Sequence, residues 1–292
     1  MMNRREFVQH SAIAGGVFML SPSELYKIKT KHVGVQMWSV RDFADKDALG
    51  TINTIAAMGY KEIEGYKYND GKFYTWTPKE FKNHLNNAGL KMLSAHTAVN
   101  LSSWDYENKR VSDSMKKSID SHAELGIKQL ICPHIDKEHR NKEDILILTE
   151  ILNHVGMDCK KAGMQFGYHN HDFEFVKTDG DYIMDTILHR TDPDLVIWEM
   201  DLYWVVFANE DPIQWIKKYP GRIRAFHVKD MAKTAARETI EVGDGVIDFP
   251  SIFTHSKEAG VKYFIVELEN YRTNSLDGVE KSLKNLKGIL NR

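Results

Sequence analysis

Histidine, lysine and carboxylate residues recur at the ends of short apolar runs in this chain, and that placement is the pattern that can carry chemistry. His96 ends the run that starts at Lys91, and His134 follows the run that reaches Cys132. His169 and His171 end the run that starts at Gln165, and Asp201 closes residues 195–201. His227 and Lys229 close residues 223–229, and Glu267 and Glu269 close the last run, which starts at Lys262. Side chains two apart on a strand share a face, so each of the pairs 169/171, 227/229 and 267/269 points one way. Imidazoles and carboxylates together suit one divalent ion such as Mn, Zn, Co or Mg, whereas softer sites need thiolates. Inward-facing carboxylates with no cation beside them are costly. A metal ion removes that cost and polarises a substrate carbonyl or hydroxyl. The competing reading is an internal salt-bridge network built with Arg41, Arg224 and Lys229.

These residues need a scaffold that brings eight strand ends to one rim. From residue 33 onward, β-type runs alternate with segments of helical spacing. The expected strands cover 33–38, 61–64, 91–96, 128–133, 165–170, 195–201, 223–229 and 262–268. The expected helices include 46–58, one opening at Thr77-Pro78, a long one over 107–125, 142–162, 180–189 and 275–290. Gly59, Gly89, Gly126, Gly163 and Gly260 each stand just before a strand, where a helix C-cap belongs. Eight β-then-α units predict an α/β protein, a single (β/α)8 TIM barrel, whose chemistry sits at the C-terminal ends of the strands. A length of 292 residues fits either about two domains or one large barrel, so length alone does not choose.

Composition narrows the function classes. Lys plus Arg is 39 and Asp plus Glu is 41, a net charge of −2, without the basic excess of a nucleic-acid binder. Two cysteines rule out a disulfide-dense scaffold. No G-x-G-x-x-G follows the first strand and no P-loop occurs, so a dinucleotide or P-loop site has no support. At the N-terminus, Arg4 and Arg5 are followed by Phe7 and a short, glycine-containing apolar run. This resembles a twin-arginine export signal over residues 1–28, with the barrel domain over 29–292. Export to the periplasm is the expectation, and a cytoplasmic location is the alternative. The run is too short to span a bilayer, and a membrane-bound form is not expected.

The motifs together resemble the xylose isomerase-like TIM barrels, the sugar phosphate isomerase/epimerase group that also includes inosose dehydratases. The carriers are the stretch from Gly34 to Asp42, the stretch from Phe166 to Phe175, Glu199-Met200-Asp201, His227-Val228-Lys229-Asp230, Gly243 to Asp248, and Ile265 to Glu269. In the epimerases of that family, one metal is held by a Glu ending strand five, an Asp ending strand six, a His ending strand seven and a Glu ending strand eight. The last three match Asp201, His227 and Glu267. His169 stands where the first Glu belongs, and Trp204 stands where a His often follows the Asp. The two glutamates of the epimerases shuttle a proton between opposite faces, so both departures lean toward the dehydratase and lyase side.

The resemblance therefore implies one divalent ion on His169, Asp201, His227 and Glu267, with a small-molecule sugar as substrate. The expected reaction is isomerisation or epimerisation through an enediolate, after removal of a proton next to a carbonyl. The first alternative is a 3-keto-glycoside lyase or hydratase, or an inosose-type dehydratase. The second is a non-catalytic sugar-binding barrel. The base is Glu267, His171 or His96; Lys229 or His134 gives acid help, or Lys229 is only a counter-ion. Trp38, Arg41, Glu64, His134, Trp204 and Glu269 are expected to contact the sugar, which is free or ketonised rather than phosphorylated. No nucleic-acid partner is expected, and a homo-oligomer is left open.

Overall fold

Each expected run becomes a strand of one closed parallel barrel. The computed structural model describes residues 32–178 and 180–291. The barrel strands are β1 (Val33–Gln36), β2 (Glu62–Gly65), β3 (Lys91–His96), β4 (Gln129–Cys132), β5 (Gln165–His169), β6 (Val196–Asp201), β7 (Ile223–Val228) and β8 (Tyr263–Val266). They follow one another round the ring in chain order, and β8 closes on β1 with Val35 opposite Val266. The expected single (β/α)8 barrel is therefore the fold. The export-signal segment lies outside the described residues. Among those described, no helix is long and apolar enough to cross a membrane.

The helices that cover the barrel are α1 (Ala48–Ala57), α2 (Pro78–Ala88), α3 (Asp113–Leu125), α4 (Lys142–Lys161), α5 (Ile183–Arg190), α6 (Pro212–Lys218), α7 (Phe249–Phe253) and α8 (Ser275–Leu290). Helix α2 shows how local sequence sets the ends. Thr77 and Glu80 form a reciprocal capping box, Pro78 occupies the first turn, and Gly89 takes the left-handed conformation at φ 72°. All five glycines read as helix stops have positive φ, from 72° to 97°.

Two of the boundaries that differ from the sequence reading do so for evident physical reasons. Helix α3 starts at Asp113 rather than 107, because residues 104–111 form a small hairpin. Its turn is held by Asp105, whose carboxylate accepts from the Asn108 backbone and side chain. The first strand stops at Gln36. The Gln36 side-chain oxygen accepts from the Trp38 backbone N–H and turns Met37–Val40 into a short 3-10 helix.

Period-2 alternation sends Phe166, Tyr168, Trp198 and Met200 outward to the helices, where all four are buried. The same alternation turns Gly167 and His169, and Ile197, Glu199 and Asp201, into the barrel. Gly167 lies in register between Ile131 and Ile197. A Cβ there would stand 2.7 Å from Ile131 Cδ1 and 2.8 Å from Ile197 Cγ1. Gly34 is similarly tight, with Ile265 Cδ1 at 2.9 Å. The Gly167→Ala variant is thus expected to lose about 1–3 kcal/mol of stability through overpacking. Denaturant unfolding checks this, and an unchanged midpoint would show that the isoleucines simply move aside.

Candidate metal centre and active site

The inward-facing residues at the tops of the strands form two tiers. The lower tier is built on two buried carboxylates, Glu64 of β2 and Glu199 of β6. Glu64 Oε1 receives Gln36 Nε2 at 2.8 Å and lies 2.6 Å from His227 Nε2; Oε2 receives the Ser94 hydroxyl at 2.5 Å. Glu199 Oε2 lies 3.0 Å from His96 Nε2, 3.2 Å from His169 Nδ1 and 3.1 Å from His227 Nε2. His96 also reaches Glu64 Oε1 at 3.1 Å.

The upper tier uses the opposite edges of the same rings. His227 Nδ1 lies 3.1 Å from Glu267 Oε2, and His169 Nε2 lies 3.9 Å from Asp201 Oδ2. One ligand atom from each of His169, Asp201, His227 and Glu267 falls within 4.8 Å of the others, and all four residues are buried. Lys229 Nζ sits beside this group, 2.7 Å from Glu267 Oε2, 3.2 Å from Asp201 Oδ2 and 2.8 Å from Glu269 Oε1. Tyr203 and Trp204 flank the ammonium, their ring centres 5.8 and 5.3 Å from Nζ.

The charges are strongly coupled. Burial alone would raise both lower carboxyls. The His96 and His227 imidazoliums instead hold Glu64 well below the usual range, and contact with His227 and His169 takes Glu199 down to about 2. In return the two carboxylates overcome burial at His96, whose pKa is pushed up to about 9, and at His227, which is raised well above the ordinary value. His169 goes the other way, because burial and the neighbouring His227 charge keep it neutral. Burial, with Lys229 adding to it, pushes His171 down to about 3. Burial holds Asp201 above the usual carboxylate range; at Glu267 burial is outweighed only by the Lys229 ammonium and the His227 ring acting together, which hold it well below.

This donor set fits a divalent cation. Glu64, Glu199, Asp201 and Glu267 are all buried, and Lys229 is the permanently cationic side chain among them. Buried charges need partners. Asp201 Oδ2 and Glu199 Oε1 accept no hydrogen bond, and the Lys229 approach to Asp201 is an ion pair without hydrogen-bond geometry. With the His227 ring deprotonated, as metal binding requires, two imidazoles and two carboxylates make an N/O set for Zn, Mn, Co or Mg. Each imidazole keeps its other nitrogen on a carboxylate, as metal-ligating histidines do.

A model of xylose isomerase-like TIM barrels matches residues 52–289 of this sequence. The chain belongs to that family. Within the family, it is similar to a solved sugar phosphate isomerase/epimerase from Parabacteroides distasonis, at 33% identity and a TM-score of 0.76, over 88% of this chain and 93% of that one. The inosose dehydratase of Lacticaseibacillus casei is 28% identical over 80% of this chain and 89% of its own length. A xylose isomerase-like barrel from Mycobacterium smegmatis, solved with magnesium, shares the fold at 15% identity and a TM-score of 0.66, over 90% of this chain and 97% of that one.

The family barrel brings most of the residues singled out in the sequence to one place. His96, His169, His171, Asp201, His227, Lys229, Glu267 and Glu269 converge, with Trp204 against Lys229 and His171. His134 stands on the rim, its side chain 46% exposed and its ring 5.7 Å from that of His171. Trp38 is also at the rim, 41% exposed, with Arg41 over its ring at 4.4 Å. Glu64 departs from its expected role. It is fully buried beneath His96 and His227, with both oxygens hydrogen-bonded, so it supports imidazoles instead of meeting a sugar.

The salt-bridge alternative holds only for Lys229. Arg41 donates to the Trp38 carbonyl, and Arg224 donates to the Gly221 carbonyl, near the start of its strand. Two residues of this xylose isomerase-like site were missed. Glu199 stands two positions before Asp201 on the same face, and the period-2 rule finds it. Glu174 lies buried under the loop at His171, accepting from the Tyr168 hydroxyl at 2.5 Å and the His171 backbone N–H at 2.8 Å. No spacing in the sequence marks it. The loop after β7 is pinned by Asp230, which accepts backbone N–H groups from Met231, Gly243, Gly245 and Ile247.

Proposed function

We propose that this protein is a metal-dependent enzyme of the sugar isomerase/epimerase type that removes a proton next to a carbonyl of a free or keto sugar. The observation that carries the reading is the buried cluster of His169, Asp201, His227 and Glu267 at the strand ends. These four residues would hold the divalent ion. When bound, that ion supplies Lewis-acid polarisation of a substrate carbonyl or hydroxyl.

The chain's own groups then divide the proton work. His96 is a poor base, since it carries a proton shared between Glu64 and Glu199. Glu267 is committed to Lys229 and His227. His171 has a buried Nδ1 with no hydrogen-bond partner, so it is the ring nitrogen left free to take the proton. Lys229 stays protonated and donates toward oxygen. Trp204 and Trp38 supply sugar-facing aromatic surface, with His134, Arg41 and Glu269 around the rim.

Return of the proton to carbon gives isomerisation or epimerisation. Loss of a neighbouring hydroxyl gives elimination, a second reading favoured by His169 in place of a second glutamate and by the inosose dehydratase relatives. The Arg4-Arg5 segment supports export, which N-terminal sequencing of protein from a periplasmic fraction tests.

The test of the first step is deuterium exchange. In D2O with a panel of ketoses, keto-glycosides and inosose, the parent chain incorporates deuterium at the carbon next to the carbonyl. His171→Ala lowers that rate by about 10²–10⁴-fold with metal content unchanged. No exchange with any compound sinks the reading. Unchanged exchange in the variant moves the base elsewhere.

A further inference from the structure

Lys229 already occupies the two carboxylates that a cation needs. Its Nζ lies 2.7 Å from Glu267 Oε2 and 3.2 Å from Asp201 Oδ2, and the side chain is only 1% exposed. An ammonium is a compact point charge. It and a divalent ion compete for the same oxygen atoms and repel each other strongly at such range in a buried site. The lysine stem is flexible, but the rings of Tyr203 and Trp204 flank its head. Glu269 offers a third acceptor. It hydrogen-bonds Nζ at 2.8 Å, its side chain is 34% exposed at the rim, and it is not part of the four-residue cluster.

We propose that Lys229 and the divalent cation are alternative counter-charges for Asp201 and Glu267, and that ion loading shifts the ammonium onto Glu269 alone. This rests on the metal reading above and adds a role to a residue that reading uses only as a donor. The lysine keeps the ion-free cluster compensated, so the barrel folds before it loads. It also sets a threshold, because a cation must bind strongly enough to displace a resident charge. Loading then delivers the ammonium to the rim, where a sugar oxygen meets it. Glu269 becomes a positioning residue for Lys229, acting through the lysine rather than on substrate.

The test is a calorimetric titration of metal-stripped protein with MnCl2 and with ZnCl2, in the absence of any sugar. The chains compared are the parent, Lys229→Met, Lys229→Gln, Glu269→Gln and the Lys229→Met/Glu269→Gln double variant, each checked for folding by circular dichroism. Removing the lysine is expected to tighten binding by about tenfold or more. Glu269→Gln is expected to weaken it several-fold in the parent background, and to have little effect once Lys229 is gone. Unchanged or weaker binding in the lysine variants overturns the proposal. So does a Glu269→Gln effect of equal size in both backgrounds, which would mark a through-space charge effect. If neither lysine variant folds, Glu269→Gln is titrated at low salt and at about 0.5 M salt, since its side chain is partly exposed: weakening that survives the added salt supports the proposal, and weakening that salt removes, or unchanged binding, overturns it. If the parent chain binds neither ion, the metal reading itself fails and this inference falls with it.

Discussion

The His227→Ala variant is expected to purify without its divalent ion, to lose turnover, and to unfold at clearly lower denaturant than the parent chain. His227 serves both tiers of the site and lies against three of its buried carboxylates. Nδ1 faces Glu267 at 3.1 Å, and Nε2 faces Glu64 at 2.6 Å and Glu199 at 3.1 Å. Its removal takes a ligand from the upper cluster and leaves three buried carboxylates short of a partner. Breaking a buried ionic pair from one side costs about 3–5 kcal/mol, because the remaining charge has no water to return to. Elemental analysis and denaturant unfolding measure the two effects separately. A variant that keeps one ion per chain would remove His227 from the ligand set. A variant that loses the ion yet unfolds like the parent would show that the lower carboxylates find other compensation.

Glu199→Gln comes second in expected effect, and it probes the lower tier without changing its shape. One oxygen of Glu199 contacts His96, His169 and His227 at 3.0–3.2 Å. A carboxylate there orients the two ligand rings and increases their basicity; an amide does neither well, since it is uncharged and turns a donor toward the same ring edges. Outer partners of this kind are worth about 10–100-fold in metal affinity, and that is the loss expected. Competition against a calibrated chelator reads it. An affinity equal to that of the parent would show that Glu199 compensates charge in the ion-free chain and nothing more.

The fold is legible in this sequence because its signals are local. A glycine before a strand, a capping box at Thr77 and alternation along residues 195–201 each depend on a few neighbours. The site is legible where two residues apart on a strand are both polar, as with His227 and Lys229 or Glu267 and Glu269. The same reasoning applied to Asp201 reaches Glu199, although Trp198 and Met200 around it give the strand a buried look. Glu64 shows the limit of that approach. Its strand end is visible, but only depth within the barrel distinguishes a residue that meets substrate from one that supports imidazoles. Glu174 is less accessible still, because its role depends on a loop folding back over Tyr168. Trp38 reaches the rim through a backbone turn made by Gln36, a side-chain contact that strand periodicity does not carry.

The tight fit at Gly34 and Gly167 has a consequence for traffic. Ile131, Ile197 and Ile265 pack against these glycines and are almost completely buried, so the barrel is stoppered below the imidazoles. The strand-end mouth is then the route left to solvent and to the ion and sugar of the proposed function. Anything seated on His227 lies deeper than anything seated against Trp38 or Trp204. On the proposed function assembly would have an order, ion before sugar, and disassembly the reverse order. On the same reading a bound sugar would act as a cork, and the ion beneath it would exchange with the surroundings only between turnovers.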